Sequence, residues 1–261
     1  MPEAADTRWR RLRPWALPAI FLAALIGLWQ VAASSGALAD VLGLEPFFVP
    51  SPAEIASAIW ENRSLLAENA WVTAQEIVVG FAWAVLAGVG FAVAMHFSTT
   101  VRLSIYPLLI VSQTIPFVVV APILLLWFGF GIVPKALVVV LVCFFPITVA
   151  TLQGLRSVDP DAIKLMRSLY ASRWQIFRRL EWMAALPYLF TGTRIAIVFA
   201  PIGAVFGEWV GGSSGLGHEV LTDNANLEIA RLFGAVVVLS AMSLVLFALT
   251  ALAERRVVTW R

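Results

Sequence analysis

Ser157–Trp182 reads S-V-D-P-D-A-I-K-L-M-R-S-L-Y-A-S-R-W-Q-I-F-R-R-L-E-W, a polar stretch set between long apolar runs. Asp159 stands where a helix cap is needed, Pro160 suits the first helical position, and Asp161 favours the exposed amides and positive dipole end of the first turn. Ile163, Met166 and Tyr170 then fall on one face. Ser172 and Gln175 form a second S-x-x-Q capping box, after which Trp174, Phe177 and the stem of Arg178 present one surface, with Arg173 and Arg179 directed elsewhere. Two short amphipathic helices are expected where a membrane protein needs only a turn. Lys164, Arg167, Arg173, Arg178 and Arg179, with Arg156 adjoining, make the stretch basic.

The rest of the chain explains why this interruption is informative. Hydrophobic residues are 61% of the 261, charged residues 13%, and Trp occurs 11 times, far from a soluble balance of about half apolar and a quarter charged. A span needs about 20 predominantly apolar residues. Segments near 15–34, 74–96, 104–127, 134–153, 186–209 and 230–253 qualify. The expectation is an all-α polytopic membrane protein with six transmembrane helices. It divides into a cytoplasmic segment 1–14, a single membrane domain 15–253 and a tail 254–261, with an outer segment 35–73 and the polar loop 157–182. The run from Trp15 to Ala33 exceeds the usual 7–15-residue signal core, so it reads as a retained first span. A cleavable secretory signal ending at Ala37-Leu38-Ala39 is the alternative.

Lys and Arg collect on the cytoplasmic side of short loops. With the amino terminus inside, Arg8, Arg10, Arg11, Arg13, Arg102, the basic stretch, Arg255, Arg256 and Arg261 all fall inside. Only Arg63, Lys135 and Arg231 fall outside, and Arg194 lies within a span. Both termini and the loop 157–182 are therefore expected in the cytoplasm. From these physical cues alone, resting on anionic lipid and docking into a protein groove remain equal readings of the loop.

Other features narrow the function. Ser51, Pro52 and Glu54 form a capping box, and the helix that follows, with Ile55, Ile59 and Trp60 on one side, is expected at the membrane surface. The third span holds Pro107, Pro116 and Pro122, so it should break around Gln113 to Pro116. Freed carbonyls and the side chains of Ser112, Gln113 and Thr114 then either glue helices or line a polar path. Arg194 inside the fifth span reads as an anchor that snorkels to the inner surface, in preference to a contact with an anionic solute. Gly207 to Gly217, with Glu208 and Trp209, is too glycine-rich for regular helix and reads as an outer gate or a mobile turn. Cys143 sits in an apolar run, and His96 and His218 fall at opposite ends of the topology, so no metal or thiol site is expected.

The stretch L-Y-A-S-R-W-Q-I-F-R-R-L-E-W-M-A-A-L-P-Y-L-F-T-G-T-R-I-A (169–196), with G-E-W-V-G-G-S-S-G-L-G (207–217), V-P-S-P (49–52) and L-W-F-G-F-G (126–131), resembles the permease subunits of bacterial ABC importers. The group it resembles handles nitrate, sulfonates, taurine and thiamine pyrimidine precursors. The resemblance implies a type I importer fold and an inner-membrane location. It also implies that 159–180 is the coupling element carrying E-A-A-x3-G-x9-I-x-L-P, which inserts into an ATPase cleft. The implied coupling residues are Lys164, Met166, Tyr170, Ser172, Arg173, Trp174, Phe177 and Arg178. Ser112, Gln113, Thr114, Pro116, Arg194, Glu208 and Trp209 are the path candidates.

Departures from the motif are specific. Lys164, Leu165 and Met166 stand at E-A-A, Tyr170 at the glycine, and Leu180, Trp182 and Met183 at I, L and P. A side chain at the glycine position costs about 1 kcal/mol or more if the turn is left-handed. The resemblance further implies partners: an ABC ATPase, a periplasmic or lipid-anchored binding protein, a second permease copy forming a homodimer, and membrane lipid, with no nucleic acid. This chain would bind no cofactor, ATP and magnesium belonging to the ATPase, and it carries no Walker-type glycine-lysine loop. Its expected solute is a hydroxymethylpyrimidine-type thiamine precursor, with sulfonate, taurine or nitrate as the alternative. A secondary transporter or a membrane enzyme is disfavoured, because Glu76 and Glu208 lie near span ends and no convergent acid, base or metal set can be assembled.

Overall fold

The computed structural model describes residues 3–260, with side chains from residue 16 onward. The described residues are helical with connecting turns and contain no strand. Contacts divide the chain into two compact units, Met1–Ser64 with Thr222–Ala235, and Leu65–Leu221 with Val236–Arg261.

The first unit contains α1 (Glu3–Ser34), α2 (Ala37–Leu42) and α3 (Pro52–Glu61). The capping box forms as the spacing requires: Glu54 Oε2 accepts from the Ser51 amide at 2.7 Å, and Ser51 Oγ accepts from the Glu54 amide at 3.3 Å. Gln30 of α1 ties on α3 by accepting from the Ala53 amide at 2.9 Å. Ile55 is buried, but Trp60 is 71% exposed, with Arg63 over its ring.

The second unit is built on α4 (Arg63–Phe97), α5 (Thr99–Ser112), α6 (Phe117–Phe128) and α7 (Ile132–Leu155). The polar loop follows as α8 (Pro160–Ser168), α9 (Arg173–Ile176) and a π turn at Phe177–Glu181. The chain continues through α10 (Trp182–Gly211), α11 (Leu216–Ala225) and α12 (Ile229–Val257). α7 and α10 make the most extensive pairing, and α6 packs on both.

Small residues explain how closely these helices approach. A Cβ on Gly80 of α4 would lie 2.6 Å from the Ala136 carbonyl oxygen of α7, and one on Gly192 of α10 would lie 2.7 Å from that of Pro146. Ala185, Ala196, Ala200 and Ala204 line α10 with no exposed surface. Small side chains let backbones meet where lipid gives no hydrophobic drive between helices. The most apolar window of α7 is 56% buried, whereas that of α1 is 0% buried, so α7 is central to its unit.

Among the described residues five helices are long and apolar enough to cross a membrane, and the pair α5–α6, bent by 104°, brings the total to six if it is one broken span. The break falls at Gln113 to Pro116, as the prolines require. Two expectations need correction. The second short helix of the polar loop is not separate: α9 runs through the π turn into α10, so Arg173–Gly211 forms one 39-residue element. Nothing between Phe177 and Trp182 breaks a helix, and one wide turn absorbs the change of phase. Likewise, the glycine-rich stretch is helical through Gly211 and again from Leu216, leaving only 212–215 irregular. Gly207 fits within the helix because its missing Cβ makes room for the Lys135 backbone, 2.9 Å from where that Cβ would be.

Candidate functional site

The polar loop is fixed from both ends. Asp159 Oδ1 accepts from the Asp161 amide at 2.8 Å, and Ser172 and Gln175 complete their reciprocal box. Between them Tyr170 adopts φ +57°, the left-handed conformation that its place at the motif glycine demands. Its side chain is 96% exposed, so no packing offsets the strain. Lys164 pairs with Asp161 at 2.8 Å in open solvent, a contact worth little by itself.

The outward face differs from the expected one. Ile163 and Met166 are half-buried, while Leu165, Leu169, Tyr170 and Trp174 are exposed. Leu165 and Leu169 are one helical turn apart, so they share a face. Phe177 is buried rather than presented: its ring meets Phe97 at 4.9 Å and Trp182 at 6.1 Å, with Trp174 stacked over it at 5.2 Å. Arg173 lies over Phe97 at 5.3 Å. Trp174, Arg178, Arg179 and Met183 border a shallow concavity of about 630 Å³.

Beneath this surface His96 Nε2 meets Glu181 Oε2 at 2.8 Å, with both side chains about nine-tenths buried. The last turn of α4 is thereby joined to the π turn where the loop becomes α10. Sequence reasoning missed the pair, although Glu181 is the lone acidic residue between Asp161 and Glu208, an isolation that asks for a partner.

The path candidates do not converge. Ser112 Oγ donates to the Leu109 carbonyl at 2.7 Å and Thr114 Oγ1 to that of Val111 at 2.8 Å, while Gln113 donates to Ser112 Oγ. The Ser112 hydroxyl thus meets a carbonyl of the last turn before the break, while Thr114 Oγ1 is a second donor to the Val111 carbonyl, which also accepts from the Thr114 amide at 3.0 Å. Arg194 forms an ion pair with Glu254 of α12. Glu254 opens the tail 254–261, so the guanidinium finds its counter-ion at that end of α12.

Glu208 belongs to a third group of residues, at the other end of the unit. It is fully buried and accepts from Thr73 Oγ1 at 2.6 Å and from the Gly217 amide. Thr73 Oγ1 accepts in turn from the Leu216 amide at 2.8 Å, Asn69 accepts from the Gly215 amide at 2.7 Å, and Trp209 donates to the Gly217 carbonyl at 3.0 Å. The short segment 212–217 is therefore clamped from α4 and α10, contrary to the mobile-turn alternative. Lys135, expected in an outer loop, is 7% exposed and meets Glu76 at 2.6 Å. Glu76 lies about 30 Å along α4 from His96. Asn69, Thr73 and Lys135 gave no sequence signal beyond polarity at a span end. No cluster able to hold a metal occurs among the described residues.

Comparison with known proteins brings these observations under one description. A family model described as "binding-protein-dependent transport system inner membrane component" matches residues 80–259. The formylaminopyrimidine transport permease protein ThiX of Halalkalibacterium halodurans is 34% identical, over 94% of this chain and 95% of its own. The riboflavin transport system permease protein RibX of Chloroflexus aurantiacus is 33% identical, over 97% of this chain and 94% of its own. Among solved structures, an inward-facing conformation of the MetNI methionine ABC transporter matches with a TM-score of 0.63 at 18% identity. That match covers 76% of this chain and 97% of the other, and at that identity it speaks for the fold.

Proposed function

We propose that this chain, which belongs to the family of binding-protein-dependent transport system inner membrane components, is the permease subunit of an ATP-driven importer for a thiamine pyrimidine precursor of the hydroxymethylpyrimidine type. In this reading two copies enclose the path, an extracytoplasmic binding protein delivers the solute, and a separate ATPase grips the segment from Asp159 to Leu180. Both termini and that segment face the cytoplasm, in keeping with the distribution of Lys and Arg.

One observation carries the reading: a doubly capped segment holds exposed Leu165, Leu169, Tyr170 and Trp174 away from its own unit while the buried His96–Glu181 pair fixes its base. Exposed apolar side chains on a rigid helical edge suit a protein groove. Because α9 continues into α10, a pull on Trp174 would move the whole of Arg173–Gly211. Closure of two ATPase subunits would draw the two segments together and turn the path outward. The pyrimidine assignment is supported by the 34% identity to a formylaminopyrimidine permease over nearly the full length of both chains.

The test is association with a candidate ABC ATPase subunit, measured on the detergent-solubilised permease. Leu169→Ala and Trp174→Ala should each weaken association about tenfold, in the range of an interface anchor, with membrane insertion unchanged. Association untouched by both changes would assign the segment to the lipid surface instead.

A further inference from the structure

A cavity of about 560 Å³ lies between the first turns of α5 and the last turns of α7 and takes no part in the coupling account. Its volume falls within the roughly 300–1,000 Å³ of small-molecule sites. Arg102 and Tyr106 of α5 line it at i, i+4 spacing, and Gln153 and Arg156 at the end of α7 line it at i, i+3. Each helix therefore turns two polar side chains toward one space. Leu103 and Leu152 supply apolar wall between them.

The charge in this wall is one-sided. Two guanidiniums line the cavity and no carboxylate does. The chain carries no Asp or Glu from residue 77 to residue 158, so neither α5 nor α7 can answer them. The side chains of Arg102, Tyr106, Gln153 and Arg156 form no hydrogen bond or ion pair with the other described residues. Other cations of the same unit are matched: Lys135 is held by Glu76, Lys164 by Asp161 and Arg194 by Glu254. Arg102 is half-buried and Arg156 exposed, so an anion can reach both. Like charges that share one wall are relieved by an anion between them.

We propose that this cavity binds the phosphate of an acidic phospholipid from the cytoplasmic leaflet. Guanidinium forks match phosphate oxygens bidentately, and Tyr106 and Gln153 add neutral donors. Leu103, 69% exposed, and Leu152 meet the glycerol and upper acyl carbons. Free inorganic phosphate shares the headgroup chemistry but places nothing on that apolar wall. Basic pockets between membrane helices on the cytoplasmic side take such headgroups, and the distribution of Lys and Arg puts Arg102 and Arg156 on that side. Arg156 caps α7 just before α8, so a bound phosphate would tie α5 to the entry of the polar segment. The site takes only its orientation from the importer reading and needs neither ATPase nor solute.

The experiment uses the full-length permease purified in neutral detergent. Dioleoylphosphatidylglycerol, dioleoylphosphatidylcholine and inorganic phosphate are the separate probes, with retained lipid counted by native mass spectrometry and thermal unfolding followed in parallel. Phosphatidylglycerol should be retained in preference to phosphatidylcholine and should raise the unfolding temperature, since a ligand of the folded state stabilises it. Arg102→Gln and Arg156→Gln should each weaken its binding about fivefold, and about twentyfold together, the worth of basic residues beside an anionic lipid. The double variant Arg255→Gln with Arg256→Gln removes the same charge from exposed positions elsewhere and should leave binding within twofold of wild type. Equal loss in that control, or none in the cavity double variant, would overturn the site. Inorganic phosphate that displaces the lipid at millimolar concentration, with the same dependence on both arginines, would assign the cavity to a soluble phosphate and overturn the lipid. Failure of the site leaves ATPase association, and with it the importer reading, standing. Lipid binding without any ATPase association would instead remove the importer reading and keep the site.

Discussion

Replacing His96 by Ala tests how the polar segment from Asp159 to Leu180 is seated. Both partners of the His96–Glu181 contact are about nine-tenths buried, and the 2.8 Å separation is that of a charge-assisted hydrogen bond. Removing one member leaves a buried carboxylate unpaired, which costs about 3–5 kcal/mol. The ring also lies 5.5 Å from Phe97 and 6.1 Å from Phe177, so some aromatic packing is lost as well. The double variant His96→Leu with Glu181→Leu removes both polar groups and should recover most of that cost, because an apolar pair of similar volume is often neutral. Unfolding of the purified permease in mixed micelles gives the energies, and ATP hydrolysed per solute moved gives the coupling. With its ATPase partner bound, His96→Ala should also give ATP hydrolysis with poor uptake, since α4 no longer follows the π turn. A cost below about 0.5 kcal/mol, the level of an ordinary surface change, would refute the idea that this pair anchors the segment.

Three further outcomes follow from particular contacts. Gly80→Ala forces a Cβ to within 2.6 Å of the Ala136 carbonyl and should cost about 1–3 kcal/mol as overpacking; Gly90→Ala on the same helix, with nothing within 4 Å, should be neutral or gain about 0.5–1 kcal/mol, both read by the same unfolding assay. Tyr170→Gly relieves about 1–2 kcal/mol of left-handed strain against roughly 0.5–1 kcal/mol of lost chain entropy, so stability should rise slightly while ATPase affinity falls with the exposed ring. Thr73→Val strips a donor from Glu208 and an acceptor from the Leu216 amide, at about 1–3 kcal/mol, and hydrogen exchange should quicken at 212–217 while α8 and α9 stay protected.

Local signals carried much of the fold. Both capping boxes and the cap at Asp159 form as their spacing implies, because such bonds close within a few residues. The break at Gln113–Pro116 follows from proline chemistry in the same way. Tyr170 is the most telling case: its alignment with a motif glycine implied a left-handed residue, and φ is +57°.

What stayed hidden depends on partners far apart in the chain. Glu76 finds Lys135, Thr73 finds Glu208, His96 finds Glu181 and Arg194 finds Glu254. Each residue reads singly as a polar group near a span end or as a snorkelling charge, and only helix packing pairs them. The inward turn of Phe177 was missed for a related reason. Helical phase alone groups it with Trp174, but the π turn and the rings of Phe97 and Trp182 draw it inside.

The central claim is that this chain moves solute only when an ATPase works through the segment from Asp159 to Leu180. Proteoliposomes holding the permease and its ATPase, supplied with loaded binding protein outside and ATP inside, measure that claim directly. Accumulation of hydroxymethyl-aminopyrimidine should require ATP, ATPase and binding protein together, and Trp174→Ala should abolish most of it while the permease remains folded. Accumulation driven by an ion gradient in the absence of the ATPase would contradict the account.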